Sequence, residues 1–132
     1  MLILTYGEII ESGTSVFTSV AYFDNGKLVL SLKGVIRVDN PGKQLLPFII
    51  ELGQKLNNTI ISSCELDFSE LTYCNSNGFY SLMDIVEIIY RSTLCPVTVK
   101  RLKKDDWQQQ ILPILLNLDD ISIAGRTTVT DL

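Results

Sequence analysis

The chain has 132 residues, a formal net charge of −4 and 46% hydrophobic residues, which fits a single domain with ample apolar material for a core. Its acidic balance, with a pI of about 4.7, sets it against nucleic acid and anionic membrane surfaces as main partners, because no broad basic face is available to pair phosphates. The sequence contains no histidine, so Ser–His and Cys–His catalysis and imidazole metal ligands are removed together.

No run reaches the ~18 apolar residues of a membrane span. Met1–Glu8 lacks the basic flank of a secretory leader. Cys64, Cys74 and Cys95 are an odd set without Cys-x-x-Cys spacing, which suits reduced apolar fillers rather than a disulfide framework. A cytoplasmic protein that does not engage membranes is expected.

In chain order, Met1–Gly13 reads as an edge strand or lead-in, packing on this chain or on a second copy. Thr14–Tyr22 alternates weakly, and Leu28, Leu30 and Leu32 share one face of a second run. Asn25-Gly26 between them is a strong hairpin signal, since both residues accept positive φ. Gly34 marks a bulge or bend. Asn40 and Pro41 read as the cap and first residue of a helix whose stripe is Leu45, Ile49, Leu52 and Leu56. Pro47 removes a donor, so the regular helix is expected to begin only near it. Ser63–Phe68 reads as a short strand and Val97–Leu102 as another. Asp105 or Asp106 caps a last helix that Pro113 shortens or kinks. Lys100, Arg101, Lys103 and Lys104 read as a solvated strand end, and Ala124–Leu132 as a tail or added strand.

The stretch Glu65–Arg91 organises the rest. It reads as a strand, a small polar loop and an amphipathic helix. The loop Cys74-Asn75-Ser76-Asn77-Gly78 places side-chain oxygens where the free N–H groups of a first helical turn need acceptors. Leu82, Met83, Val86, Ile89 and Tyr90 recur at helical spacing and mark the core stripe, with Ser81, Asp84, Glu87 and Arg91 off it. A phosphate on Ser76 is compatible with the positive field of the helix start and adds roughly −1.5 to −2 charges to the surface there.

Asp67-Phe-Ser-Glu-Leu, then Asn75-Ser-Asn-Gly and a helix, resembles the core motif of STAS domains, the anti-sigma factor antagonist family. In that motif a strand ending near Asp-x-Ser-x-Leu is followed by Asp-Ser-x-Gly. Ser76 and Gly78 fall on its Ser and Gly, and Asn75 stands where the family usually has Asp. Gly34–Asp39 and Leu115–Ile121 resemble two further segments of the family. The resemblance implies an α/β fold over residues 14–123, with a mostly parallel sheet of about four or five strands, an N-terminal antiparallel hairpin and about three main helices. Residues 1–13 and 124–132 are left as extension and tail.

The resemblance also implies a regulatory binding module of a bacterial partner switch. A serine kinase acting as anti-sigma factor binds it and phosphorylates Ser76, and a metal-dependent serine phosphatase reverses this. Asp39, Asn75, Asn77, Gly78, Tyr80, Asp84 and Ile88 are the candidate contacts. The alternative is a STAS scaffold subunit that does not switch, within a larger signalling or transport complex; a homodimer fits either reading. Asp67 with Glu70, and Asp105 with Asp106, read as strand-end and cap residues, and no phosphate-cradling Gly-rich loop is present. No enzyme activity, cofactor or metal is expected.

Overall fold

A computed structural model describes the chain from Ile3 to Leu132. Its elements run β1 (Ile3–Glu11), β2 (Thr14–Asp24), β3 (Lys27–Ile36), α1 (Pro41–Asn58), β4 (Ser63–Cys74), α2 (Ser76–Ser92), β5 (Val97–Arg101), α3 (Asp106–Leu115), α4 (Ile121–Ala124) and β6 (Thr127–Asp131). The six strands form one mixed sheet in sequence order. β1, β2 and β3 pair antiparallel, and β3 to β6 pair parallel.

The expected four or five strands are therefore six. Residues from both the extension and the tail supply the sheet's two edges, β1 and β6. β1 pairs with β2 through the tight Ser12-Gly13 turn, whereas β6 pairs with β5, a neighbour more distant in sequence that local alternation does not reveal.

The topology fixes the layers. Strand order advances by one step at each parallel crossover, and crossovers of this kind are right-handed, so the helices stack on one face of the sheet. The burial pattern agrees. Phe17, Ala21 and Phe23 of β2, Leu28, Leu30 and Leu32 of β3, Leu66 and Phe68 of β4, and Val97 and Val99 of β5 are buried. They meet Leu45, Phe48 and Leu52 of α1 and Leu82, Ile85 and Ile89 of α2 in one core. Residues alternating with these, such as Leu4, Tyr6 and Tyr22, stay exposed on the opposite face.

Special backbone positions match their residues. Asn25 and Gly26 take φ of 50° and 80° in the β2–β3 turn, as a type I′ hairpin demands. Gly34 has φ of 109°, and a Cβ there would lie 2.1 Å from the Val16 carbonyl oxygen. Only glycine fits that bend. The Gly-less turn after α3 is made by Asn117 at φ of 56°, a conformation Asn tolerates better than other side chains.

Three local expectations are corrected. α1 starts at Pro41 and runs through Pro47. Pro47 lies on the exposed side, where water can satisfy the carbonyl left without its helical donor. Ser81 is buried rather than off the stripe, under the close approach of α1, where a Cβ on Gly42 would sit 3.5 Å from Ser81 Oγ. β4 does not stop at Phe68 but continues to Cys74. The register against β3 slips between Ser31 and Lys33, opposite the Asp67–Glu70 segment. Asp67 Oδ1 accepts from Ser69 N–H at 2.9 Å and from Ser69 Oγ at 2.6 Å, a local turn that imitates a strand end while the strand goes on.

Buried Gln108 of α3 secures that irregular stretch. Its Nε2 donates to the carbonyls of Phe68 at 2.8 Å and Leu71 at 2.9 Å, and its Oε1 accepts from Leu102 N–H at 2.7 Å. Leaving those buried carbonyls unpaired would cost about 1–3 kcal/mol each.

Candidate functional site

The β4–α2 junction carries the candidate site. β4 delivers Cys74 beside the end of β3, where Asn75 N–H donates to the Ile36 carbonyl at 2.9 Å. Asn75 then caps α2, its Oδ1 accepting from Gly78 N–H at 2.8 Å. Its Nδ2 donates to the Val38 carbonyl at 3.0 Å. Asn77 Nδ2 donates to the Asp39 carbonyl at 2.9 Å. One Asn thus uses both ends of its amide, and a second ties the first turn of α2 to the β3–α1 connection.

Gly78 is required by a close approach. A Cβ there would lie 2.7 Å from Ile36 Cγ2 and 3.1 Å from Cys74 Cβ. Its φ is not in the left-handed region, so the reason is space rather than backbone freedom.

Ser76 is the first residue of α2, one position after the cap, and is exposed. None of the described residues engages its hydroxyl. It sits on the first turn, where unpaired N–H groups and the helix dipole favour negative charge by about 0.3–1 kcal/mol at an exposed site.

The other expected contacts divide. Asp39 is exposed beside Asn77. Tyr80 is 63% exposed, with its ring edge-on to Phe79 at 6.0 Å between centroids. Asp84 is exposed on the same side of α2. Ile88 is half-buried against the core. With Asp84 it lines a shallow groove of about 270 Å³ that α2 forms with Gly42, Leu46 and Ile49 of α1. Leu46 and Ile50 add exposed apolar surface on α1. Asp84 and Ile88 are thus joined by a stretch of α1 absent from the expected contacts. The linking signal was tertiary: the groove exists only where α1 packs beside α2.

Cys74, beside the helix start, is not activated there. Burial pushes its thiol up to about 11, so it is an apolar filler. Lys100 is paired with Glu65 at 3.4 Å and Arg101 with Asp131 at 2.7 Å, so half of the basic cluster is matched by acids. Among the described residues no group of three or more Cys, Asp or Glu side chains is placed to hold a metal ion. No helix among them is long and apolar enough to cross a membrane.

No protein-family model matches the chain, and no curated protein matches its sequence. Among solved structures it is similar to unliganded yeast PDE1, with a TM-score of 0.51 and 14% identity over 99% of this chain and 43% of that one. The chain spans less than half the length of that neighbour, and the likeness is one of fold. It corrects one expectation, that the chain is not an enzyme. The neighbour is a phosphodiesterase, so the fold is one in which an enzyme is found. The missing catalytic pairs and Gly-rich loop do not exclude activity.

Proposed function

We propose that this chain is a STAS-like binding module of a cytoplasmic bacterial partner switch, controlled by phosphorylation of Ser76. The observation that carries this is the state of Ser76: exposed, unengaged, and held on a helix start whose geometry is fixed by Asn75, Asn77 and Gly78. A rigid loop presents the same surface before and after modification, so charge rather than refolding carries the signal. The order of elements and the stacking of helices on one face support the STAS-like assignment.

The partner is a serine kinase of the anti-sigma type, and a metal-dependent serine phosphatase resets the site. Asn75, Ser76, Asn77, Gly78, Asp39, Tyr80, Asp84 and Ile88 form the contact surface. A dianionic phosphate on Ser76 must be desolvated when this surface is covered. Left unpaired in the interface it costs several kcal/mol, enough to release the partner with the domain intact.

A second reading, a scaffold subunit that does not switch, is favoured by the exposed row on the open face of the sheet. Leu4 and Tyr6 of edge strand β1 are 53% and 51% exposed, and Leu4 pairs with the exposed Tyr22 of β2. Such a patch suits a permanent neighbour, a second copy included.

The test is the mass of the protein from its native cell, with fragmentation across Asp67–Arg91. A species heavier by about 80 Da, one phosphoryl group, localised to Ser76 supports the switch. An unmodified Ser76 across growth conditions moves the assignment to the scaffold.

A further inference from the structure

The fold brings together two cysteines that lie 31 residues apart in sequence. Cys64 Sγ and Cys95 Sγ are 3.3 Å apart in the interior. Cys64 is the second residue of β4, and Cys95 lies in the short connection between α2 and β5. The backbone holds them in register: Cys64 N–H donates to the Pro96 carbonyl at 3.0 Å, and Cys64 pairs with Val97 across the β4–β5 ladder. Arg126 fastens the same connection. Its guanidinium donates to the carbonyls of Tyr90, Thr93 and Cys95 and lies over the Tyr90 ring.

We propose that Cys64 and Cys95 are a reversible thiol–disulfide site, closed by a small-molecule disulfide and opened by a thiol. The sulfurs need to approach by only about 1.3 Å to reach the covalent distance, and both already face each other. Cys74, the third thiol, is not in contact with this pair and remains free.

The route to reaction is through Cys95. Cys95 is 8% exposed and its neighbour Leu94 is 95% exposed, so the connection that carries the sulfur runs at the surface. An opening of Thr93–Pro96 that releases the Arg126 bonds to Thr93 and Cys95 and the Cys64 bond to Pro96 admits a reagent. Cys64, by contrast, is fixed within a strand, and burial raises its thiol pKa. Cys95 as thiolate attacks one sulfur of the external disulfide and expels the first thiolate, which takes up a proton. Cys64 then attacks the Cys95 sulfur of the mixed disulfide. Its proton passes to the second departing thiolate. Two protein thiols are oxidised, one external disulfide is reduced to two thiols, and no other reagent enters.

The bridge would close β4, the Ser76 loop and α2 into one covalent ring. Both ends of the β4–α2 unit would be pinned at the side of the sheet where β5 begins. The site acts whether or not Ser76 is phosphorylated.

The test uses the full chain, reduced and then equilibrated with oxidised glutathione. Free thiols are blocked with iodoacetamide in denaturant, and the product is read by intact mass and peptide mapping. The expected product is about 2 Da lighter before blocking, carries one blocked thiol at Cys74, and links the peptides holding Cys64 and Cys95. Its melting temperature rises by roughly 10 °C, and dithiothreitol reverses both changes. Cys74→Ser gives the same linked product. Cys64→Ser stops at a glutathione adduct on Cys95, the trapped first intermediate. Three blocked thiols in the oxidised wild-type chain, a link through Cys74, or a lasting glutathione adduct in place of the bridge would overturn the proposal.

Discussion

Two helix starts lie side by side in this molecule, each led by Asn, and they are built differently. Asn40 precedes α1 with φ of −132° and makes no side-chain cap bond; Pro41 opens the helix instead. Asn75 precedes α2 in extended backbone, caps the helix, and donates across to Val38. Each start also has a glycine in its first turn. Gly42 has room for a Cβ, the nearest atom being Ser81 Oγ at 3.5 Å, whereas Gly78 does not. The same residue types thus serve a replaceable start in α1 and a fastened one in α2. The fastened one carries Ser76.

The largest expected effect comes from filling the space that α2 lacks. Gly78→Ala should lower stability by about 1–3 kcal/mol through overpacking against Ile36 and Cys74, even though alanine is the better helix former by about 1 kcal/mol. Equilibrium urea unfolding reads this directly. A neutral Gly78→Ala would mean that α2 can lift away from β3, and the fastened start would lose its main support.

Next comes the cap. Asn75→Ala removes an acceptor for Gly78 N–H and the donor to Val38, and should cost about 1–2 kcal/mol. Asn40→Ala removes no cap bond and should stay within about 0.5 kcal/mol of wild type. Asn75→Asp sharpens the contrast. The carboxylate keeps the cap and gains from the dipole, but it cannot donate to the Val38 carbonyl and sets an anion against it. A net loss of about 0.5–1.5 kcal/mol is expected. Asn where the resembled motif has Asp is thus accounted for by a bond that only an amide can make. Asn75→Asp as stable as wild type would remove that account.

The opposite sign is expected at α1. Gly42→Ala meets no close contact and should raise stability by about 0.5–1 kcal/mol, through helix propensity and a less flexible unfolded chain. A loss instead would show that the α1–α2 contact over Ser81 is as tight as the one over Ile36.

The contrast explains what was legible in the sequence. The Asn25-Gly26 turn, most of the α2 stripe and the Asn75 cap were readable because each depends on neighbours within a few positions, whereas Gly34 was legible as a bend whose reason, the Val16 carbonyl, is 18 residues away. Gly78 was legible as a motif position, but its reason, the Ile36 side chain, is 42 residues away in sequence. The β4 extension was hidden because Asp67 and Ser69 form a turn-like contact inside a strand that Gln108 then repairs from α3. Strands β1 and β6 were each legible only as one of two alternatives, edge strand or lead-in and added strand or tail, because an edge strand is defined by its partner. Cys64 and Cys95 read as separate fillers until the β4–β5 ladder placed them together.

Ser76 provides the smallest effect on stability and the clearest separation of stability from function. Among the described residues its side chain has no bond to lose, and its position on the first turn of α2 favours a negative charge. Ser76→Asp should therefore match wild type in urea unfolding or exceed it by a few tenths of a kcal/mol, with the gain fading as salt is raised. In the proposed switch the same change weakens kinase binding. It puts a charge on the contact surface without altering the Asn75 and Asn77 bonds that shape it. Titration calorimetry with the partner, beside unfolding at two salt concentrations, measures both quantities on one variant. A substantial loss of stability would mean that the Ser76 surface is coupled to the fold. Unchanged stability with unchanged affinity would leave α2 a well-made helix start and move attention to the exposed β1 edge.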